Sequence, residues 1–325
     1  NPVDLITAAR ESAARCDITT AYGLSVAALA EAQDQWRPDD ARFLIAHQDI
    51  ATFANRGLDF KRAEDSARIA LGFATRKATP NALEKALVTQ NLAVALAGQG
   101  KRTEAAILFA QLVAEMAKSG TPEMIANAEL AYSDFEYGAG RPSSGLHHAQ
   151  KAAAVAATNA IGPDLKANIL LRLAADYRRT LLFDKAAQAL ADARRLDSRL
   201  GSSARIALIN ADVAYEKGQL NQSLNAISDI EQSAPAFDAC DPTLMADVAQ
   251  RRGTLHMVRR ELPEAAAAFT TALALLSKIK LNDNQRSGEI TYGLAIISGM
   301  SRDFDQSARL FDSAGASFHK IYGGD

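Results

Sequence analysis

Cysteine is almost missing from this chain. Cys16 and Cys240 are the two present, far apart and without metal-ligand spacing, so neither a disulfide framework nor a zinc site is expected. Aromatic residues make up only 6% of the sequence, and 19 glycines and 9 prolines are few for 325 residues. That scarcity argues against a sheet protein punctuated by turns and for closely packed helices. Charge of one sign is lacking too. The 36 Lys and Arg nearly balance 38 Asp and Glu, for a net charge of -2, and no long basic stripe is available to neutralise phosphates, so a nucleic-acid partner is not expected.

No run of 18 or more apolar residues occurs, which predicts no membrane insertion, and the first residues lack the basic-then-apolar order of a signal peptide. The expected compartment is the cytoplasm. The chain does not begin with methionine, and a periplasmic or exported location is the alternative if a leader has been removed. Motifs that carry chemistry are missing as well: there is no G-x-x-x-x-G-K-[ST], no G-x-S-x-G and no H-E-x-x-H. The histidines are His47, His147, His148, His256 and His319. The adjacent pair His147 and His148 points to different sides of a helix, a poor geometry for joint metal ligation. No enzyme activity, cofactor or metal is expected.

What the sequence does contain is 48% hydrophobic residues, with alanine the commonest, and a period. Pro38, Pro80, Pro122 and Pro163 are spaced by 42, 42 and 41 residues, and Pro242 follows 79 later. Proline suits a first helical turn and not a helix interior, and Thr79, Thr121 and Asp241 precede three of these prolines as capping residues. Each site therefore predicts a helix start. A second alignment takes the first residue of each unit's second buried stripe: Tyr22, Phe60, Arg102, Pro142, Phe183, Leu220, Leu262 and Phe304, spaced by 38, 42, 40, 41, 37, 42 and 42. Three residues after these anchors, and nine before them, every residue is Ala, Gly or Ser. Small side chains let two helix backbones approach closely where they cross. Seven residues after the anchors the residues are apolar throughout, which completes one helical face.

A small residue in the first helix, a glycine-containing turn, then an aromatic or leucine followed by small and bulky positions resembles the tetratricopeptide repeat. The order is clearest in 82–119, with Leu92, Ala93, Gly100, Ala105 and Phe109. The units are longer than the family's usual roughly 34 residues, and in that resemble the repeats of kinesin light chains and of bacterial signalling proteins. The fold implied is all-α: a right-handed α-α superhelical solenoid of about eight helix-turn-helix repeats. It forms one repeat domain over 1–325, with units 1–38, 39–79, 80–121, 122–162, 163–203, 204–241, 242–283 and 284–325.

The resemblance also implies a concave wall made of first helices that binds a protein or peptide. Its register selects Gln48, Asp49, Thr52, Asn55, Gln90, Asn91, Asp134, Tyr137, Arg172, Arg178, Asp212, Tyr215, Gln250, Arg251, Thr254 and Tyr292. Chaperone-binding relatives clamp a terminal carboxylate with lysine and asparagine, but Gln48, Gln90, Leu130 and Leu171 stand where the lysine would fall, so a carboxylate clamp is not expected. The function implied is a non-catalytic scaffold or adaptor. The alternative is a sensor or regulatory segment of a larger bacterial signalling protein, because residues 316–325 resemble the linker into a further unit. Terminal repeats expose apolar faces unless capped, so self-association through them is a further expectation.

Overall fold

The computed structural model describes residues 1–76, 81–196, 200–233, 243–278 and 284–322. Among them are sixteen helices and no strand. The chain divides into two compact units, Asn1–Ala160 and Ile161–Asp325. Unit 1 holds α1 Pro2–Ala14, α2 Ile18–Gln35, α3 Arg42–Arg56, α4 Phe60–Arg76, α5 Ala82–Gly98, α6 Arg102–Ser119, α7 Pro122–Gly138 and α8 Pro142–Thr158. Unit 2 holds α9 Pro163–Arg179, α10 Phe183–Leu196, α11 Leu200–Glu216, α12 Leu220–Ser233, α13 Leu244–Val258, α14 Leu262–Lys278, α15 Asn284–Met300 and α16 Phe304–Tyr322. Each unit is a stack of four helical hairpins. Successive first helices of the hairpins pack on one another (α1, α3, α5 and α7; α9, α11, α13 and α15), whereas second helices pack chiefly on first helices. The first helices are therefore the closer-spaced side of each stack.

All eight hairpins turn by one device. Cys16, Leu58, Gly100, Gly140, Leu181, Gly218, Arg260 and Arg302 all have positive φ, between 60° and 78°. At each turn two backbone N–H groups reach back to the ending helix. In the third hairpin Gly100 N–H donates to Ala97 O at 3.0 Å and Lys101 N–H to Leu96 O at 2.9 Å. This closure satisfies carbonyls that the helix end leaves open. Two residues later the second helix begins. Five of the eight positions are not glycine, although a side chain in the left-handed region costs about 1 kcal/mol or more. A search for glycine alone finds only three of the turns.

The turns correct the sequence register in one place. Seven of the eight anchors are the first residues of second helices, but α2 begins at Ile18, four residues before Tyr22. Counted from Ile18, the small columns fall on Ala21 and Ala9, both fully buried. Four residues rotate a helix by only about 40° beyond a full turn, so a one-turn slip leaves an apolar pattern almost intact. Pro38 also departs from expectation. It lies in a turn, and α3 starts at Arg42, whose N–H donates to Asp40 Oδ1 at 2.9 Å. Pro122 and Pro163 do open helices, with the Thr121 hydroxyl accepting from Met124 N–H. Thr79, Pro80, Asp241, Pro242 and Cys240 lie outside the described residues. Cys16 is not a free thiol.

The small columns carry the packing. Ala63, Ala105, Ala186 and Ala265 are fully buried on second helices, as are Ala51, Ala93, Ala174, Ala211 and Ala295 on first helices. The bulky positions between them meet the next hairpin. Phe109 of α6, 1% exposed, is flanked by Tyr132 and Phe135 of α7, with ring centroids 5.7 and 5.0 Å away. Phe269 of α14, 2% exposed, is held so tightly that a Cβ on Gly253 would come within 2.9 Å of its ring and one on Gly293 within 2.8 Å.

Candidate functional site

Neighbouring first helices are joined by polar pairs that obey one spacing. Arg10 and Asp49, Thr52 and Asn91, Asp212 and Arg251, Asp247 and Arg286, and Gln250 and Glu289 are all 39 residues apart. The repeat at each of these junctions is 42 residues. Each first helix is therefore set back by three residues, about 4.5 Å along its axis, against the one before. This stagger decides which of the sixteen candidate side chains meet.

In unit 1 the wall is stitched mainly by uncharged groups. Asn91 Nδ2 donates to Thr52 Oγ1 at 2.9 Å, Asn55 Nδ2 donates to Asn91 O at 2.9 Å, and the Thr52 hydroxyl donates to Gln48 O at 2.9 Å. Gln48, Thr52, Asn55, Gln90 and Asn91 are all half-buried. Asp49 is the charged exception. It is buried and accepts from Arg10 Nε at 2.8 Å and Arg10 Nη2 at 3.1 Å. Burial pushes its carboxyl pKa up, and Arg10 opposes this only in part. Asp134 and Tyr137 stand on α7, the first exposed and the second half-buried.

In unit 2 the equivalent positions are ionic. Asp212 of α11 is buried between Arg178 of α9, 3.7 Å away, and Arg251 of α13. Arg178 also lies 3.6 Å from Glu216, and the Arg251 guanidinium sits 5.7 Å from the centre of the Tyr215 ring. One turn before Arg251 on α13, Asp247 takes Arg205 of α11 at 2.6 Å and Arg286 of α15 at 2.7 Å. Gln250 donates to Glu289 at 3.3 Å and the Thr254 hydroxyl to Gln250 O at 3.1 Å. Arg172 is half-buried on α9. Tyr292 of α15 is exposed and meets Phe311 edge-on at 5.5 Å.

The structure thus brings Thr52, Asn55 and Asn91 together in one unit and Arg178, Asp212, Tyr215 and Arg251 in the other. Most of the selected residues tie helix to helix, where the resemblance suggested a wall that faces a ligand. Sequence reasoning missed Arg10, Arg205, Asp247, Glu216 and Arg286. The signal for the charged ones was present: opposite charges recurring at the repeat length less three.

Further carboxylates are buried within the hairpins. Burial pushes the Glu64 carboxyl up, but Lys101 at 2.7 Å, Arg68 at 2.8 Å and Gln99 at 2.8 Å outweigh it and hold it at about 2. Glu136 is buried beside Arg141, which lowers its pKa against the effect of desolvation. Glu129 lies 2.6 Å from His148 Nδ1, and the His148 ring stacks on Tyr132 at 4.1 Å. The histidine pair thus divides, His148 being buried in the packing of α7 on α8.

The fold is shared with known proteins. A family model described as the tetratricopeptide repeat protein 21 ARM repeat matches residues 143–252. No curated protein sequence matches the chain. Among solved structures, the apo form of the quorum sensor NprR from B. thuringiensis is 13% identical, with a TM-score of 0.68 over 98% of this chain and 87% of that one. A Rap protein complexed with Competence and Sporulation Factor is 14% identical, with a TM-score of 0.67 over 85% and 74%. The Rap conjugation gene regulator of the plasmid pLS20, in complex with the Phr* peptide, is 11% identical, with a TM-score of 0.58 over 98% and 73%. At such identities the likeness is one of fold. The chain therefore shares the fold of tetratricopeptide-like helical-repeat structures. No helix among the described residues is long and apolar enough to cross a membrane.

Proposed function

We propose that the chain is a non-catalytic adaptor whose first-helix wall in unit 2 binds an extended protein or peptide segment bearing carboxylates. The observation that carries this reading is the strip Arg178, Asp212, Arg251 and Tyr215, which crosses three consecutive first helices. Each guanidinium has five N–H donors and one carboxylate engages at most two or three of them, so an arginine braced by aspartate keeps donors for a second acceptor. Bracing also lowers the ordering cost of binding, because the side chain is already held. Arginine and tyrosine are the residue types that most often anchor interfaces. The Rap regulator solved with the Phr* peptide, and the Rap protein solved with Competence and Sporulation Factor, lend this reading support by fold.

The test is fluorescence anisotropy with labelled peptide pools that are acidic, neutral or basic. Arg251 braces Asp212, so the variants must spare it. The change Arg178→Lys keeps a positive charge beside Asp212 but removes the guanidinium fork, and is expected to weaken acidic-peptide binding about tenfold, roughly the loss of one interface anchor, while the chain stays folded. Equal binding of all three pools, or unaltered affinity in a folded variant, would sink the proposal. The second reading, a regulatory segment in a signalling protein, draws on the fold shared with a quorum sensor. It is favoured instead if peptide binding changes the small-angle scattering profile of the chain.

A further inference from the structure

The wall of unit 2 carries a second arginine–aspartate–arginine triad, separate from the strip through Asp212. Asp247 of α13 accepts from Arg205 of α11 at 2.6 Å and from Arg286 of α15 at 2.7 Å. It lies four residues before Arg251 on α13, and Arg205 lies seven before Asp212 on α11, so both triads stand on one face of their helices. Each joins two guanidinium groups to a single carboxylate and so carries one net positive charge. The second triad is the more open. The side chains of Arg205 and Arg286 are 25% and 36% exposed, against 15% and 24% for Arg178 and Arg251. Glu216 beside Arg178 and Glu289 beside Gln250 confine the positive charge to two separate points.

We infer that the two triads are two anion subsites of one surface, which selects an extended segment with carboxylates four residues apart. This deepens the reading of the wall as a peptide-binding surface and rests on it. The spacing follows from the fold. Asp212 meets Arg251 across the α11–α13 junction, and Asp247 stands four residues, about 6 Å, further along α13. With neighbouring helix axes about 10 Å apart, the centres of the triads are about 12 Å from each other. In an extended strand, residues separated by an even number share a face, and spacings of two, four and six residues span about 7, 13 and 20 Å. Four is the match. A carboxylate arriving at either triad balances its net charge, in a partly desolvated place where the attraction is stronger than in open water.

The test is fluorescence anisotropy on the full chain, with labelled peptides that hold two aspartates in an otherwise neutral sequence at spacings of two, four or six. The spacing of four is expected to bind about tenfold more tightly than the other two at equal charge, roughly the gain of one interface anchor. Arg286→Lys keeps a positive charge beside Asp247 but removes the guanidinium fork, and is expected to erase most of that advantage while thermal unfolding shows a folded chain. Equal affinity at all three spacings, or an optimum at two or six, overturns the inference. If acidic peptides still bind better than neutral and basic ones, the binding wall itself stands. No preference for acidic peptides removes both readings. An advantage at four that survives unchanged in folded Arg286→Lys also overturns the inference, because the second subsite would then not include Arg286.

Discussion

The α3–α5 junction of unit 1 and the α9–α11–α13 junctions of unit 2 are built on one stagger with opposite chemistry. The first is closed by Thr52, Asn55 and Asn91, and the second by Arg178, Asp212 and Arg251. In both, a residue on one first helix meets a residue three positions further toward the start of the next. The geometry comes from the small, buried columns that set how closely helices approach, and these are alike in both units. The polar side chains that fill the staggered positions are free to differ. A neutral junction costs little to desolvate and offers a ligand only weak contacts. An ionic one costs more to bury but holds arginines in fixed positions where an anionic segment can use them.

The largest expected effect separates the two junctions directly. Asp212→Ala removes a buried carboxylate that two guanidinium groups share and leaves them facing each other. It is expected to cost about 3 kcal/mol or more. Asn91→Ala removes neutral hydrogen bonds and is expected to cost about 1 kcal/mol. Urea unfolding of both variants measures the difference, and equal losses would mean that the two junctions carry equal weight.

A middle-sized effect belongs to unit 1. Glu64 titrates at about 2 in the folded chain, below its ordinary value near 4.5. A depressed acid contributes stability that is complete above its unfolded pKa and fades as pH falls through the folded one. Stability is therefore expected to drop by about 2 kcal/mol from Glu64 between pH 5 and pH 2, allowing for the exposure of its partners. Denaturation midpoints at pH 5, 4 and 3 for the native chain and for Glu64→Gln check this. The variant should show a shallower slope.

The smallest effect concerns the turns common to both units. Leu181 is largely exposed and sits at φ 62°, whereas Gly218 occupies the same place at φ 76°. Leu181→Gly is expected to raise stability by up to about 1 kcal/mol, and Gly218→Ala to lower it by a similar amount. Thermal unfolding resolves both. A destabilised Leu181→Gly would show that the side chain contributes more than the backbone conformation costs.

Much of the fold was legible in the residues themselves. The 37 to 42 residue period, the helix pairs and the small columns could be read because helical burial repeats every 3.6 residues and leaves the same mark in each unit. Reading failed where that mark is degenerate. Tyr22 and Ile18 lie one turn apart on one helix face, and Pro38 occupies a turn without opening a helix. The conformation of five turns was not legible, because Cys16, Leu58, Leu181, Arg260 and Arg302 adopt a backbone geometry that the sequence signals only through glycine.

The candidate wall was legible by position and illegible by partner. Arg178, Asp212 and Arg251 were chosen as residues facing a ligand, and in the structure they face one another across three helices. Local periodicity, set by backbone geometry and the burial of apolar side chains, determined the helices, their pairing and the side each residue occupies. The three-residue stagger between hairpins arises from how whole helices settle against one another. Only tertiary packing could therefore decide which charges meet and which carboxylates are buried.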